Sequence, residues 1–280
     1  MISALFLCAC SSHQNKPDVV APSVHTEYSV QRDVVITPEH WPQQLLADVY
    51  LPEGEGPWPG VLVIHGGGWA KGDRAQVESI AERLAARGYV AVNTTYRFAP
   101  QWHFPAQLQD VQQALRWMRD HAGDYRMRPE RFGAFGYSAG AHLAALAGGV
   151  GTEGELGKDA VPIAAVVAGG TPTDLMKYPG GKLVPDFIGT SRDEDPGGYK
   201  AASPVNYVDA ADPPVFLYHG GSDTLVPKHH AVDYKALLDE AGVTNELFIL
   251  RLRGHIGAFY TDGGAVKAAI AFLDRHLRAQ

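Results

Sequence analysis

Short continuous apolar runs alternate with amphipathic stretches through most of this chain. Residues 61–64 read Val-Leu-Val-Ile, the pattern of a strand buried on both faces. Residues 89–94, 132–137, 163–168, 215–219 and 247–250 repeat that character. Residues 27–36 and 44–51 instead alternate apolar and polar positions, which predicts an antiparallel pair ahead of the rest. Helical stripes fall between the runs. Val77, Ile80, Ala81, Leu84 and Ala85 share one face, with Gly88 placed to end the helix. Leu108, Val111, Leu115 and Met118 form a second stripe, residues 139–147 a short helix of small residues, Ala231, Tyr234, Leu238 and Ala241 a fourth helix, and Val266, Ala269, Ile270, Leu273 and Leu277 the last. Such alternation predicts the α/β class: a mostly parallel sheet, helices on both faces, and right-handed crossovers. Residues 171–207 break the rhythm. They are rich in Gly, Pro and Asp, and are expected to form a small insertion over the carboxyl ends of the strands.

The chain has 280 residues, 45% of them hydrophobic and 20% charged, with a formal net charge of −7. That supports one large core-forming domain, expected over residues 27–280. Without clustered Lys and Arg, the acidic balance argues against a nucleic-acid partner. The two cysteines, Cys8 and Cys10, both lie at the N-terminus, so the body has no disulfide and no cysteine metal site. Residues 1–26 predict a targeting segment: an apolar stretch, MISALFLCAC, and then a polar, Pro- and Ser-containing tether. Leu7-Cys8-Ala9-Cys10 resembles a bacterial lipobox, which implies lipidation at Cys10, export, and a lipid-anchored place in the bacterial cell envelope. An ordinary cleaved secretory signal and an apolar terminus with no targeting role stand as alternatives. No later apolar run approaches the length needed to span a bilayer.

Candidate chemistry sits at strand ends. Gly136-Tyr137-Ser138-Ala139-Gly140 follows one strand and precedes a helix, the context of a nucleophile elbow. Side chains two residues before or after Ser138 would clash in so tight a turn, which accounts for both glycines. His65-Gly66-Gly67-Gly68-Trp69 follows residues 61–64. Its glycines leave N–H groups open, and Gly67 and Gly68, with Ala139, are the expected oxyanion donors. His65 is expected to brace this loop.

A neutral serine needs a base, and the base an acid, in the chain order Ser, Asp or Glu, His. Asp223 and His255 are each expected in a loop just past a late strand and fill those places. Twelve histidines are present, so position alone singles out His255. His142 is expected to pack, and His229 and His230 to be solvated. Asp174 is the rival acid, with a structural or pocket role favoured, and Asp209 and Asp212 read as turn residues.

Taken together, these residues resemble the HGGG-type carboxylesterases, which include hormone-sensitive-lipase-like enzymes and bacterial feruloyl and acetylxylan esterase relatives. Thr95-Tyr96-Arg97-Phe98-Ala99-Pro100, Phe104-Pro105-Ala106, Asp110 and Trp117 extend the likeness from residue 61 to about 276. The chain lacks the long cap segment of the hormone-sensitive-lipase group and is more similar to the feruloyl/acetylxylan branch. The resemblance implies an α/β-hydrolase fold with an eight-stranded sheet, and hydrolysis of short acyl or aryl esters through an acyl-enzyme, without cofactor or metal. It also makes Tyr96, Arg97 and Asp110 structural supports. A small-molecule ester is then the partner, and a membrane enters only through the N-terminal lipid. An amidase or peptidase using the same triad, and a non-catalytic binding protein on the same scaffold, are the competing readings.

Overall fold

The computed structural model describes residues 11–17, 24–152, 154–178, 180–262 and 264–278. The proposed lipidation site Cys10, the rest of the apolar stretch 1–10, and residues 18–23 of the expected tether lie outside the described residues.

The chain forms β1 (Ser11–Gln14), β2 (Tyr28–Val35), β3 (Leu46–Pro52), β4 (Trp58–Ile64), α1 (Glu78–Ala85), β5 (Val90–Thr94), α2 (Ala106–Asp120), β6 (Met127–Tyr137), α3 (Ala139–Gly149), α4 (Gly154–Gly157) and β7 (Ala165–Gly169). It continues with α5 (Leu183–Ile188), α6 (Pro196–Ala201), β8 (Val215–Gly220), α7 (His229–Glu240), β9 (Asn245–Leu250), α8 (His255–Tyr260) and α9 (Ala265–Leu277). Among the described residues all nine strands join one sheet in the order β1-β9-β8-β7-β6-β4-β5-β3-β2. β5, β4, β6, β7, β8 and β9 run parallel, while β2, β3 and β1 pair antiparallel at the two ends.

The parallel strands have no solvated face, which is why their sequences are unbroken apolar runs. One face packs against α2, α3 and α7 through Leu108, Val111, Leu143 and Leu238. The other packs against α1 and α9 through Ile80, Leu84, Ile270 and Leu273. Because the parallel strands point the same way, the loops leaving them gather at one edge of the sheet, where open α/β sheets place their sites.

Three differences from expectation stand out. Among the described residues the sheet has nine strands, not eight. The ninth, β1, comes from a segment expected to be tether, with Ser11 opposite Leu250 and Gln14 opposite Leu247. Its polar composition suits an edge: His13 Nε2 lies 2.7 Å from Glu246 Oε2, and its ring packs edge-on to Phe216. Pairing there covers the open hydrogen-bonding groups of β9. Second, the insertion at 171–207 is not featureless. It carries α5, α6 and two single turns of 3-10 helix, Leu175–Lys177 and Pro204–Asn206. These pieces are too short for a periodic stripe to register. Third, His255 does not lie in a loop but opens α8.

Candidate active site

The turn between β6 and α3 sets the geometry. Ser138 has φ 55° and ψ −122°, a strained conformation for a residue with a side chain. A Cβ on Gly136 would lie 2.2 Å from the carbonyl oxygen of Gly140, and a Cβ on Gly140 would lie 2.1 Å from that of Ile64. Neither position admits a larger residue, and this packing keeps the turn tight. The Ser138 amide donates to Gly169 O at 2.7 Å on β7, and its carbonyl accepts from His142 N at 2.9 Å. The side chain is thereby held above the sheet at the start of α3, whose dipole favours negative charge there.

The loop after β8 and the first residue of α8 bring the partners. Ser138 Oγ lies 2.9 Å from His255 Nε2, and His255 Nδ1 lies 2.7 Å from Asp223 Oδ2. Asp223 and His255 are 6% and 7% exposed, so water competes weakly for these bonds. The second Asp223 oxygen, Oδ1, accepts from the amides of Leu225 at 3.0 Å and Val226 at 2.8 Å. Burial pushes the Asp223 carboxyl up, but the hydrogen bonds from His255 and the Val226 amide outweigh it. The group is held below the usual carboxylate range. An ionised carboxylate only accepts, so Nδ1 carries the ring proton and Nε2 presents its lone pair to the serine hydroxyl.

Two supports were not visible in the sequence. The Tyr137 hydroxyl donates to the backbone carbonyl of His255 at 2.6 Å, tying the histidine to the residue before the nucleophile. His219, fully buried, has Nε2 2.7 Å from Val226 O and 3.5 Å from Asp223 Oδ2. Burial lowers its pKa, so it braces the Asp223 loop as a neutral donor. Tyr137 occupies the variable position of the Gly-x-Ser pattern and His219 is the last residue but one of β8. Neither position carries a spacing signal.

The glycine loop lies across from the triad. Gly67 and Gly68 adopt φ +117° and +62°, and a Cβ on Gly67 would lie 1.8 Å from Lys71 O. Among the described residues, the N–H groups of Gly67, Gly68 and Ala139 donate to no backbone or side-chain acceptor. Gly68 and Ala139 border the same cavity as Ser138, and Gly67 borders a second one that Ser138 shares. His65 braces the loop, with Nδ1 2.7 Å from Gly66 O and its ring stacked on Tyr96 at 4.6 Å. The Tyr96 hydroxyl donates to His65 O at 3.2 Å. Behind it, the buried Arg97 pairs with Asp110 at 2.9 Å, and Asp110 also accepts from Trp41 Nε1 at 2.9 Å. These three residues stand behind the loop, away from Ser138.

The cleft over Ser138 has two lobes. One, of about 270 Å³, is bounded by Trp69, Ala139, Pro172, Tyr178, Val184 and Val226. The other, of about 380 Å³, lies on the His255 side and includes Lys71, Gln76, Phe259 and Tyr260. Gly68, Ser138, Leu183 and Leu225 border both. The insertion shapes the first lobe, since Phe187 of α5 stacks on Trp69 at 4.5 Å. A cavity of about 640 Å³ lies elsewhere, against Trp41 and Arg116, and no triad residue borders it.

The remaining candidates separate cleanly. His142 is buried, accepting from Trp69 Nε1 at 3.1 Å and contacting Ala202 O at 2.7 Å. His230 corrects the expectation of a solvated pair. It is 1% exposed, stacks on Tyr178 at 5.2 Å, and accepts from Thr173 N at 3.2 Å, whereas its neighbour His229 is exposed. Its position on the inner face of α7 buries it. Asp174 caps a 3-10 turn by accepting from Met176 N at 3.1 Å, and Asp209 accepts from Ala211 N at 2.7 Å in a surface turn.

A family model, BD-FAE, matches residues 47–238. The esterase LipQ of Mycobacterium tuberculosis is 34% identical over 195 residues, which cover 66% of this chain and 46% of that protein. The arylacetamide deacetylase of Oryctolagus cuniculus is 45% identical over 91 residues, 31% of this chain and 23% of that protein. The chain spans about half the length of the curated relatives it matches first. Among solved structures, a truncated carbohydrate esterase from gut microbiota superposes with a TM-score of 0.78 at 25% identity. The match covers 92% of this chain and all of that one. A bacterial heroin esterase shares the fold at a TM-score of 0.76 and 24% identity, covering 91% of this chain and 86% of that one.

Proposed function

The chain belongs to the BD-FAE family and has the α/β-hydrolase fold, and from that premise we propose that it is a serine carboxylesterase working through an acyl-enzyme. One observation carries the reading: the unbroken run from Ser138 Oγ through His255 to Asp223, at 2.9 and 2.7 Å, beside undonated backbone N–H groups. His255 Nε2 takes the hydroxyl proton as Ser138 Oγ attacks the ester carbonyl. Asp223 stabilises the imidazolium that results. The oxyanion is received by the N–H groups of Gly67, Gly68 and Ala139. The tetrahedral intermediate collapses, and the histidine gives its proton to the departing alcohol. Water then repeats the cycle and frees the acid.

The proton transfer assigns the lobes. The alcohol must leave within reach of His255 Nε2, which places it in the 380 Å³ lobe and the acyl group in the 270 Å³ lobe behind Trp69. The acyl lobe is lined by Trp69, Pro172, Tyr178 and Val184 and favours short acyl or aryl groups. Acylated carbohydrates are the natural alcohol class suggested by the similar carbohydrate esterase. Hydrolysis of p-nitrophenyl acetate, lowered on the order of 10⁴-fold or more in kcat by Ser138→Ala, tests the assignment. A chain-length series should peak between acetate and butyrate, and a peak at palmitate would refute the short acyl lobe.

Aryl amides are a second reading, favoured by the segment similar to arylacetamide deacetylase. Rates on a matched ester and anilide separate the two. We also propose that the chain is exported and held in the bacterial cell envelope by a lipid on Cys10, for which the Leu-Cys-Ala-Cys sequence is the support. Mass spectrometry of the chain purified from bacterial membranes that finds Cys10 without a lipid adduct would contradict it.

A further inference from the structure

Seven large apolar side chains are strongly exposed among the described residues, and five of them stand at the catalytic edge of the sheet. They are Leu183 at 44%, Leu225 at 53%, Leu252 at 78%, Ile256 at 63% and Tyr260 at 75%. Soluble proteins rarely gather exposed apolar residues in this way without a surface to meet. Leu183, Leu225, Ile256 and Tyr260 border the cleft, so substrate could account for them. Leu252 borders neither lobe of the cleft, and substrate does not account for it. It sits on the turn after β9, three residues before His255, between Arg251 and Arg253. Both arginines are exposed, and neither forms an ion pair among the described residues. An unpaired Arg-Leu-Arg on a chain of net charge −7 is a local reversal of sign.

Strand β1 supplies an independent observation. It runs antiparallel to β9 with Ser11 opposite Leu250, so the backbone enters β1 from the catalytic edge. Ser11, the residue that follows the apolar stretch in sequence, therefore lies opposite the last residue of β9, two positions before Leu252. The exposed apolar side chains, the unpaired cations and the point of entry of the N-terminal segment share one edge.

We infer that this edge docks on an anionic lipid bilayer, with Leu252, Ile256 and Tyr260 entering the headgroup region, Arg251 and Arg253 meeting lipid phosphates, and the cleft of Ser138 facing the membrane. The combination of apolar side chains and basic groups is the chemistry of interfacial binding. Docking does not depend on acylation of Cys10. In the acylated chain the lipid would sit one residue before β1, and the domain would be held with its cleft toward the bilayer without a swinging tether. The inference also stands apart from ester hydrolysis, because the surface is defined by residues outside the triad.

The test is sedimentation of the full chain, carrying Cys8→Ser and Cys10→Ser, with sucrose-loaded vesicles. One set is phosphatidylcholine alone, and the other contains about one third phosphatidylglycerol. Binding is expected to the anionic vesicles and to weaken with salt. Leu252→Asp, and separately the pair Arg251→Glu and Arg253→Glu, should lower partitioning at least about tenfold, since each basic residue near an anionic surface contributes about fivefold. Both variants should hydrolyse p-nitrophenyl acetate in solution at the unaltered rate, which shows that they are folded. Failure of the parent to sediment with anionic vesicles would overturn the inference. So would equal binding by the rim variants, which would assign the interaction to residues 1–10 instead.

Discussion

Ser138 is a side-chain-bearing residue at φ 55°, fixed by two glycines whose replacement the surrounding backbone forbids. Strain of this kind persists only where the fold over-determines it, and it points the hydroxyl at His255. Asp223→Asn tests the next member of the relay. An amide can present its NH₂ to Nδ1, which favours the wrong imidazole tautomer. kcat on p-nitrophenyl acetate should fall about 10⁴-fold with little change in thermal stability. Tyr137 is a positioning residue acting through the His255 carbonyl. Tyr137→Phe should lower kcat about 5- to 10-fold, the worth of one neutral hydrogen bond, while leaving KM and the pH profile unmoved. At this scale the sequence was readable wherever a motif has a spacing: Ser138, Asp223, His255 and the glycine loop. Tyr137, His219 and His230 were not readable, because each acts through a partner more than 50 residues away, or across a turn, that no local pattern encodes.

Among elements, legibility follows length and burial. The unbroken runs of β4 to β9 and the stripes of α1, α2 and α9 are strong signals because both faces or one whole stripe must be apolar. α5, α6 and α8 span only six residues each, too few for a period to show. β1 spans four residues, and as an edge strand it is polar. Its pairing is decided by the open side of β9 rather than by its own composition. The segment between β5 and α2 is held by the buried pair Arg97–Asp110, whose side chains are 4% and 0% exposed. Arg97→Ala leaves Asp110 buried without its counter-charge. Stability should fall by about 3–5 kcal/mol, seen as a drop in Tm on the order of 10 °C. A loss under about 1 kcal/mol would show that the pair is dispensable. Because Tyr96 from the same segment supports the glycine loop, kcat should fall as well.

For the molecule as a whole, burial of histidines shapes stability against pH. Burial lowers His142 from 6.5 to about 4 and His230 from 6.5 to about 3. At these two sites the native state binds fewer protons than the unfolded chain below pH 6.5, and the half-buried Asp212 carboxyl, raised to about 7, offsets one of them by binding a proton more readily when folded. The stability that the two histidines contribute is fully present above pH 6.5 and is lost on acidification, down to about 4 for His142 and about 3 for His230. Each contributes a slope of up to about 1.4 kcal/mol per pH unit across its window. The urea midpoint should fall steadily from pH 6.5 to 4.5. His230→Gln, which can still accept from the Thr173 amide, should flatten that slope by about half the two-histidine contribution. An unchanged slope would contradict it.

Three side chains brought together from positions 138, 223 and 255 make the account stand, and their chemistry can be read directly. Incubation of the full chain with a fluorophosphonate, followed by peptide mass spectrometry, should place a single covalent adduct on Ser138. The labelling rate should collapse in Asp223→Asn and His255→Ala. An unlabelled native chain, or an adduct on another serine with Ser138 untouched, would contradict the account.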